Sequence, residues 1–288
     1  MNKIMNEKLD ALKEFVTLCD THKIWYSLDN LSLLSTVSEK DIEDKIDFHE
    51  VMMTYESYEE FKTKCTDFVI DNTKHSSYKT TQIKFAKDAN NFLEEKAFVN
   101  INLLLPVKVK TLKKFLNFKN YERSRMQNLQ TRYRSTSAQL EGKILSLFWP
   151  KLTYKEIINS LEDKEYEGYV TTRERINKKW KRNWITHVSF ERKTIDFHGI
   201  KVKILSEFES YLTNIFGENF SDFEVEPLKN IHINLVDFVS VNTFNLAKQK
   251  EEQDKIKEEI IEHTISDPQV KVKSKEKLSK DSDKNIEE

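Results

Sequence analysis

Carboxylates are concentrated in Glu39–Glu60, where nine acidic residues accompany only two lysines. Because alternate residues of a strand point to the same side, carboxylates at positions i and i+2 can share a divalent cation. Asp41 and Glu43 have this spacing, but the Asp44-Lys45 pair that follows them indicates a loop.

Asp47 and Glu50 form a second candidate pair in the same stretch. They are three residues apart, so they face opposite sides of a regular strand. A bulge at Phe48-His49 would bring both carboxylates to one side. His49 beside Asp47 also suggests acid–base chemistry, and the alternative is a half-exposed strand histidine with no chemical role.

Glycine is scarce, with four residues in the chain and none among the first 141. That half therefore holds no glycine-rich loop that could cradle phosphates. This excludes P-loop NTPases, dinucleotide-binding dehydrogenases and protein kinases. Two cysteines, Cys19 and Cys65, are too few for a disulfide framework or a zinc site, so we expect buried free thiols. With no signal peptide recognisable at the start, we expect a cytoplasmic protein.

Hydrophobic periodicity predicts an α+β fold, in which a small mixed sheet is flanked by helices. Strands are expected near residues 24 (over Lys23–Leu28), 48, 82 and 101, the last of them ended by Pro106. A hairpin is expected over 188–204, with its turn near His198-Gly199. Helices are expected from Leu9 to Cys19, after a capping box formed by Ser57 and Glu60, from Lys110 to about Trp149, from Tyr154 to Leu161, and from Glu207 to Phe216.

The chain is expected to contain a core over residues 1–107 and a helical and hairpin part of the same domain over 108–247. The last part, 248–288, consists mainly of charged and polar residues and is predicted to be disordered.

Two basic stretches interrupt a nearly neutral sequence. Lys108–Lys143 contains ten basic and two acidic residues, a net of +8, and Arg173–Lys193 contains eight and two, a net of +6. Such stretches attract phosphates, anionic lipids or nucleic acid, and the alternative is a solvated helix face. No nucleic-acid-binding module accompanies the charge, so nucleic acid is the weaker candidate. Trp180 and Trp184 either lie at a membrane surface or pack in the core.

Several short segments follow one another along the chain in a characteristic order. They are Cys19–Tyr26, Leu31–Val37, Ile46–Met52, Tyr58–Phe61, Ile83-Lys84, Asn91-Phe92, Phe98–Ile101, Phe197–Ile204, Glu209–Leu212, Ile215–Glu218, and Pro227 with Lys229 and His232. This order, over roughly residues 10–238, resembles the LicD family of phosphorylcholine and polyol-phosphate transferases. The resemblance implies a nucleotidyltransferase-like fold.

The resemblance also implies a magnesium site made of two acids on one strand and a third on a neighbouring strand. The paired acids align with Phe48 and Glu50, and the third aligns with Asn100, so only Glu50 is acidic. Asp47 is the residue that could join Glu50 as a metal ligand, and Asn100 could contribute its side-chain oxygen.

Six further positions follow from the same alignment. The two glycines of the family's phosphate turn align with Leu31 and Ser35, while Ser32 keeps a hydroxyl at the position of a threonine. Ser32, Lys84 and Lys229 are therefore the expected donor-binding residues, and His232 aligns with a histidine of the site.

The implied activity is transfer of phosphocholine or a similar phospho-alcohol from a CDP-type donor to a glycan or glycolipid, with Mg²⁺ if the protein is active. A glycolipid acceptor would bring the protein to the inner face of a membrane. Since two of the three aligned acids are lost, the alternative is a catalytically inactive relative that binds a partner. Nucleic-acid binding through the basic helices is the third possibility.

Overall fold

The structure is a computed structural model that describes residues 3–38, 46, 48–74, 78, 80–89, 97–120, 122–123, 136–172, 184–185 and 188–223. All of these lie within one compact unit, Met1–Phe238. They form a mixed α+β fold with a small mixed sheet, as the sequence predicts. The predicted disordered tail over 248–288 lies outside the described residues.

The helices are α1 (Lys3–His22), α2 (Asn30–Ser38), α3 (Tyr55–Lys64), α4 (Val109–Phe115), α5 (Thr136–Ser146), α6 (Tyr154–Leu161) and α7 (Phe208–Phe216). The strands are β1 (Ser27–Leu28), β2 (His49–Thr54), β3 (Val69–Ile70), β4 (Ile83–Phe85), β5 (Val99–Val107), β6 (Gly168–Thr171), β7 (Trp184–Ile185), β8 (Arg192–Phe197) and β9 (Ile200–Leu205). None of the helices in this part of the chain is long and apolar enough to cross a bilayer.

The main sheet has the order β1-β2-β5-β4-β3. Strands β2 and β5 run parallel, and the other pairs are antiparallel. The first half of β5 pairs with β4 and its second half with β6, which in turn pairs with β7. The part of the chain after residue 107 therefore contributes strands to the sheet, whereas the sequence predicts helices and a single hairpin there.

The core lies between the sheet and its helices. Helix α1 packs through Leu12, Phe15 and Cys19, which recur at helical spacing and are completely buried. Phe15 contacts the rings of Tyr26, Phe61 and Phe85 at centroid distances of 5.2–5.5 Å. Both cysteines are buried free thiols, which confirms the prediction.

Several predicted elements after residue 150 are confirmed. Helix α6 has the predicted bounds, and strands β8 and β9 form the predicted hairpin. Its turn places His198 and Gly199 at φ angles of 51° and 80°, a left-handed backbone that glycine adopts without strain.

Two predictions near α3 and β5 are wrong in detail. Helix α3 is capped by Thr54, whose hydroxyl accepts a hydrogen bond from Ser57 N at 3.2 Å, so Ser57 lies inside the helix instead of capping it. Thr54 takes this place because it ends β2 in an extended conformation. Pro106 lies within β5 and does not end the strand.

The segment between residues 23 and 38 also differs from its prediction. Of the strand predicted over Lys23–Leu28, only Ser27–Leu28 forms, as β1, because Lys23 follows α1 with a φ of 56° and Ile24 N still bonds to Cys19 O. Leu31 and Ser35, aligned with the family's glycines, both lie inside α2 and are buried. The turn before this helix is made by Asn30, whose φ is 47°.

Candidate functional site

The turn between β1 and α2 places a buried carboxylate at the start of a helix. Asp29 is completely buried, and its backbone N–H donates to Glu50 O at 2.9 Å, which holds the turn against β2. Asn30 tolerates its left-handed backbone better than most residues, and its N–H donates to Asp29 Oδ1 at 2.7 Å. A carboxylate at a helix N-terminus is stabilised by the helix dipole.

The parallel register of β2 and β5 brings Glu50 and Asn100 side by side. Glu50 pairs with Asn100, and Met52 pairs with Asn102, so both asparagines lie on the face that carries Glu50. Glu50 Oε1 accepts from Asn100 Nδ2 at 3.5 Å and from Asn102 Nδ2 at 3.4 Å. The structure therefore brings the side chains of Glu50 and Asn100 together.

Asn102 connects the two carboxylates. Its Nδ2 also donates to Asp29 Oδ2 at 2.8 Å, so Asp29 and Glu50 share one amide group. Asn30 Nδ2 donates to Glu50 Oε2 at 2.6 Å, and the Tyr211 hydroxyl donates to Asp29 Oδ1. We call these side chains the Asp29 network: Asp29, Asn30, Glu50, Asn100, Asn102 and Tyr211.

The hydrogen-bond donors to Asp29 in the described part of the chain are all neutral, namely a backbone N–H, an amide and a hydroxyl. Among the described residues no lysine or arginine pairs with Asp29, and no three His, Cys, Asp or Glu side chains come together in a group that could hold a metal ion. The carboxylate and carboxamide oxygens of the network are nonetheless the type of ligand that a hard divalent cation usually binds.

Ser32 supports the site from helix α2. Its buried Oγ accepts a hydrogen bond from Glu50 N at 2.8 Å and lies 3.5 Å from His49 Nδ1. The hydroxyl that the resemblance assigns to donor binding thus holds α2 against β2. His49 packs edge-on against Phe197, and burial, followed by the positive charges of Lys8 and His198, lowers its pKa to about 3.

Lys84 lies beside this network without joining it. It pairs with Asn100 across β4 and β5 and is completely buried, and no described residue accepts a hydrogen bond from its Nζ. The ammonium lies 3.5 Å from the centre of the Phe98 ring, and Phe48 stacks on the same ring at 4.8 Å. Burial lowers the pKa of Lys84 well below its usual value. Phe48, aligned with the first acid, therefore packs on the same ring that Lys84 contacts.

The remaining predicted site residues, Asp47, Lys229 and His232, lie outside the described residues, as do Asp41 and Glu43. Sequence reasoning missed Asp29, Asn30, Asn102 and Tyr211. Two signals were present: an Asp-Asn pair before an apolar run is typical of a turn that opens a helix, and Asn102 shares a strand face with Asn100. The Tyr211 contact spans 182 residues, so no local pattern indicates it.

Comparisons with known proteins add no relative: no family model matches the chain, and no curated protein or solved structure is significantly similar to it.

Proposed function

We propose that this chain is a divergent transferase of the LicD type, on a nucleotidyltransferase-like fold. Its reaction would move phosphocholine or a similar phospho-alcohol from a CDP-type donor to a glycan or glycolipid. One observation carries the proposal: Glu50 and Asn100, aligned with two of the family's three acid positions, are register partners with side chains in contact.

Asp29 strengthens the proposal because it supplies a second carboxylate next to Glu50. The shared Asn102 amide keeps both carboxylates on one side of the sheet. Asp29 and Glu50 are the residues that would hold Mg²⁺. The asparagines turn their Nδ2 groups toward these carboxylates, and Asn100 Oδ1 accepts from Gln82 Nε2 at 2.7 Å, so the Asn102 oxygen would join them only after its amide turns over. The cation would supply charge neutralisation at the donor's pyrophosphate.

Lys84 gives the proposal a candidate phosphate ligand. Lys84 on β4 and Glu50 on β2 are both register partners of Asn100 on β5, the strand between them. The Lys84 ammonium lies over the Phe98 ring, and no described residue accepts a hydrogen bond from it. A lysine in such a position gains from meeting an anion, because a buried charge is costly unless it is paired.

Calorimetry and a turnover assay test the proposal on the full chain. CDP-choline should bind in the presence of Mg²⁺, and CMP should be released when a glycan or glycolipid acceptor is added. Glu50→Gln should abolish CMP release, while Asp67→Asn, a change at an exposed acid, should leave it unaltered. Absence of binding for every CDP-alcohol tried, together with absence of CMP release, would refute the proposal.

A catalytically inactive relative that binds a partner is the second candidate. It is favoured by Phe48, which occupies the first acid position and stacks on Phe98, and by the neutral donors that already satisfy Asp29. This alternative predicts that the unchanged protein releases no CMP, and that neither EDTA nor Glu50→Gln alters any binding of a CDP-alcohol.

A further inference from the structure

Three side-chain amides form a chain of hydrogen bonds from the two buried carboxylates to strand β4. Asn102 Nδ2 donates to Asp29 Oδ2 at 2.8 Å and to Glu50 Oε1 at 3.4 Å. Asn100 Nδ2 donates to Asn102 Oδ1 at 3.0 Å. Gln82 Nε2 in turn donates to Asn100 Oδ1 at 2.7 Å. We call Gln82, Asn100 and Asn102 the amide relay.

The carboxylates fix the direction of the amide relay. An ionised carboxylate only accepts hydrogen bonds, so Asn102 turns its Nδ2 toward Asp29 and Glu50 and leaves its oxygen for the next amide. Asn100 repeats this arrangement, and Gln82 therefore ends the relay with its oxygen. The group that the relay presents at its far end is an acceptor.

Gln82 Oε1 is buried, and no described residue donates a hydrogen bond to it. Lys84 Nζ, two residues further along, is a buried donor that lacks a described hydrogen-bond acceptor. Both residues lie on the same side of the sheet, because Gln82 contacts Asn100, the register partner of Lys84. Since buried polar atoms are normally hydrogen-bonded, this acceptor and this donor together indicate a ligand that offers one of each.

The far end of the amide relay lies close to the surface. Gln82 is half-buried, as is Thr81 before it, whereas Lys84 is completely buried. A ligand would therefore meet Gln82 first and Lys84 deeper in the fold.

We propose that Gln82 and Lys84 form a subsite for a phosphate ester that carries a hydroxyl near its phosphate. Lys84 Nζ would donate to a phosphate oxygen, and this half of the inference rests on the proposed function. Gln82 Oε1 would accept from the hydroxyl. An ionised phosphate alone offers only acceptors, so it would satisfy Lys84 and leave Gln82 Oε1 unpaired. Gln82 is thus the residue that would select a hydroxylated ligand.

A CDP-type donor has two possible sources of this hydroxyl, its ribose and a transferred polyol. The trimethylammonium group of choline has neither an N–H nor an O–H to donate, so choline would not make the contact with Gln82. Both sources share the chemistry of an alcohol hydroxyl beside a phosphate, and the experiment separates them.

Two pairs of ligands, titrated into the full chain by calorimetry, test the subsite. CMP and its dideoxy analogue differ in the ribose hydroxyls, and glycerol phosphate and propyl phosphate differ in those of the alcohol. EDTA in the buffer removes any cation that could turn the Asn102 amide over, so the relay keeps its direction. The hydroxylated member of one pair should bind about tenfold more tightly than its partner, and that pair identifies the source.

Substitution of Gln82 tests whether this residue is the cause of the preference. Gln82→Met removes the accepting oxygen, so both members of the pair should bind with equal affinity. Each comparison is made on one variant, so a loss of folded protein affects both ligands alike. Asn159→Met, at an exposed amide on α6, is the matched control and should keep the full preference.

Three outcomes overturn the inference: no binding of any of the four compounds, equal binding within both pairs, or a preference that persists in Gln82→Met. These outcomes are distinct from those that refute the proposed function. CMP release without a hydroxyl preference would keep the transferase and refute the subsite. A preference that depends on Gln82, without CMP release, would support the subsite and refute the transferase.

Discussion

Two aspartates, Asp29 and Asp71, are completely buried and hold comparable places in the fold. Each follows the last residue of a strand, and each accepts a hydrogen bond from a tyrosine hydroxyl, Tyr211 for Asp29 and Tyr58 for Asp71. Each also accepts a backbone N–H from the turn that follows it. The difference is Lys62, whose Nζ lies 2.6 Å from Asp71 Oδ2, whereas the donors to Asp29 are neutral.

The difference separates a structural network from a candidate site. Burial raises the pKa of Asp71, but hydrogen bonds from Lys62, Thr73 and Tyr58 outweigh it and lower the pKa to about 2. That carboxylate therefore has its cation within the protein. Asp29 has no such partner among the described residues, and a bound cation would give it the neutralisation that Lys62 gives Asp71.

The largest expected effect is a loss of stability on removal of Asp71, the buried carboxylate that is paired with Lys62. Asp71→Ala removes the partner of Lys62 and leaves the Tyr58 hydroxyl without its acceptor. The free energy of unfolding should fall by about 3 kcal/mol in urea denaturation, since truncating a buried ion pair is strongly destabilising. The exposed Asp67→Ala should change it by less than about 0.5 kcal/mol. A loss below about 1 kcal/mol at Asp71 would show that the network is not structural.

Acid should lower the stability of the protein through His49 and through Asp71 at different pH values. His49, behind the Asp29 network, has a folded pKa of about 3 against an ordinary 6.5, so below pH 6.5 the unfolded chain binds a proton that the folded protein excludes. Stability should fall by about 2 kcal/mol between pH 6.5 and 5. Asp71, with its pKa lowered to about 2, contributes stability that is lost only as the pH falls below its ordinary 3.8.

Urea titrations at pH 7, 6 and 5 measure this dependence. His49→Gln should flatten the curve between pH 6.5 and 5, although the substitution itself lowers stability at pH 7. His22→Gln, at the end of α1, is the control and should leave the slope unaltered. An unchanged slope in His49→Gln would assign the acid sensitivity to another group.

The same comparison shows why the sequence predicted one part of the fold better than another. Helix α6 and the β8–β9 hairpin were predicted because their apolar periodicity and glycine turn are local signals. The strands β6 and β7 were missed because they are short and take their place only by pairing with β5 and with each other.

The sequence likewise indicated some residues of the candidate site and not others. Glu50 and Asn100 were named as site residues from the resemblance, and in the structure they are register partners on β2 and β5. Asp29 went unnoticed because its importance depends on a turn that Asn30 makes with a positive φ, and Tyr211 because it arrives from a distant helix. The resemblance aligns Phe48 with an acid position of the LicD family, and the structure shows that its ring stacks on Phe98.

Lys84 is the converse case to Asp29, a buried lysine with no described hydrogen-bond acceptor. Lys84→Met replaces a buried ammonium that has no described hydrogen-bond acceptor with an apolar chain of similar length. The free energy of unfolding should rise by about 1–2 kcal/mol in urea, while binding of CDP-choline is lost. Lys87→Met, at a more exposed lysine, is the matched control and should alter neither. A fall in stability would mean that the ammonium is favourably bound within the fold.

The smallest expected effect is stabilisation by Mg²⁺, and its loss on substitution of Asp29 tests directly whether that carboxylate binds a cation. Mg²⁺ at about fivefold excess over its dissociation constant should stabilise the unchanged protein by about 1 kcal/mol, read as a rise in the thermal midpoint. Asp29→Asn keeps an acceptor for Asn30 N and for the Tyr211 hydroxyl, and the Asn102 amide can turn its oxygen toward the new amide. Its stability in EDTA should therefore change little, while its response to Mg²⁺ disappears.

Asp67→Asn should keep the full Mg²⁺ response, because that exposed carboxylate lies outside the Asp29 network. If the unchanged protein shows no response to Mg²⁺, neutral donors alone satisfy Asp29, and the distinction between the two aspartates fails. Asp29 would then have a structural role, holding α7 to the sheet through Tyr211 as Asp71 holds α3 through Tyr58. That result would favour the inactive relative over the transferase.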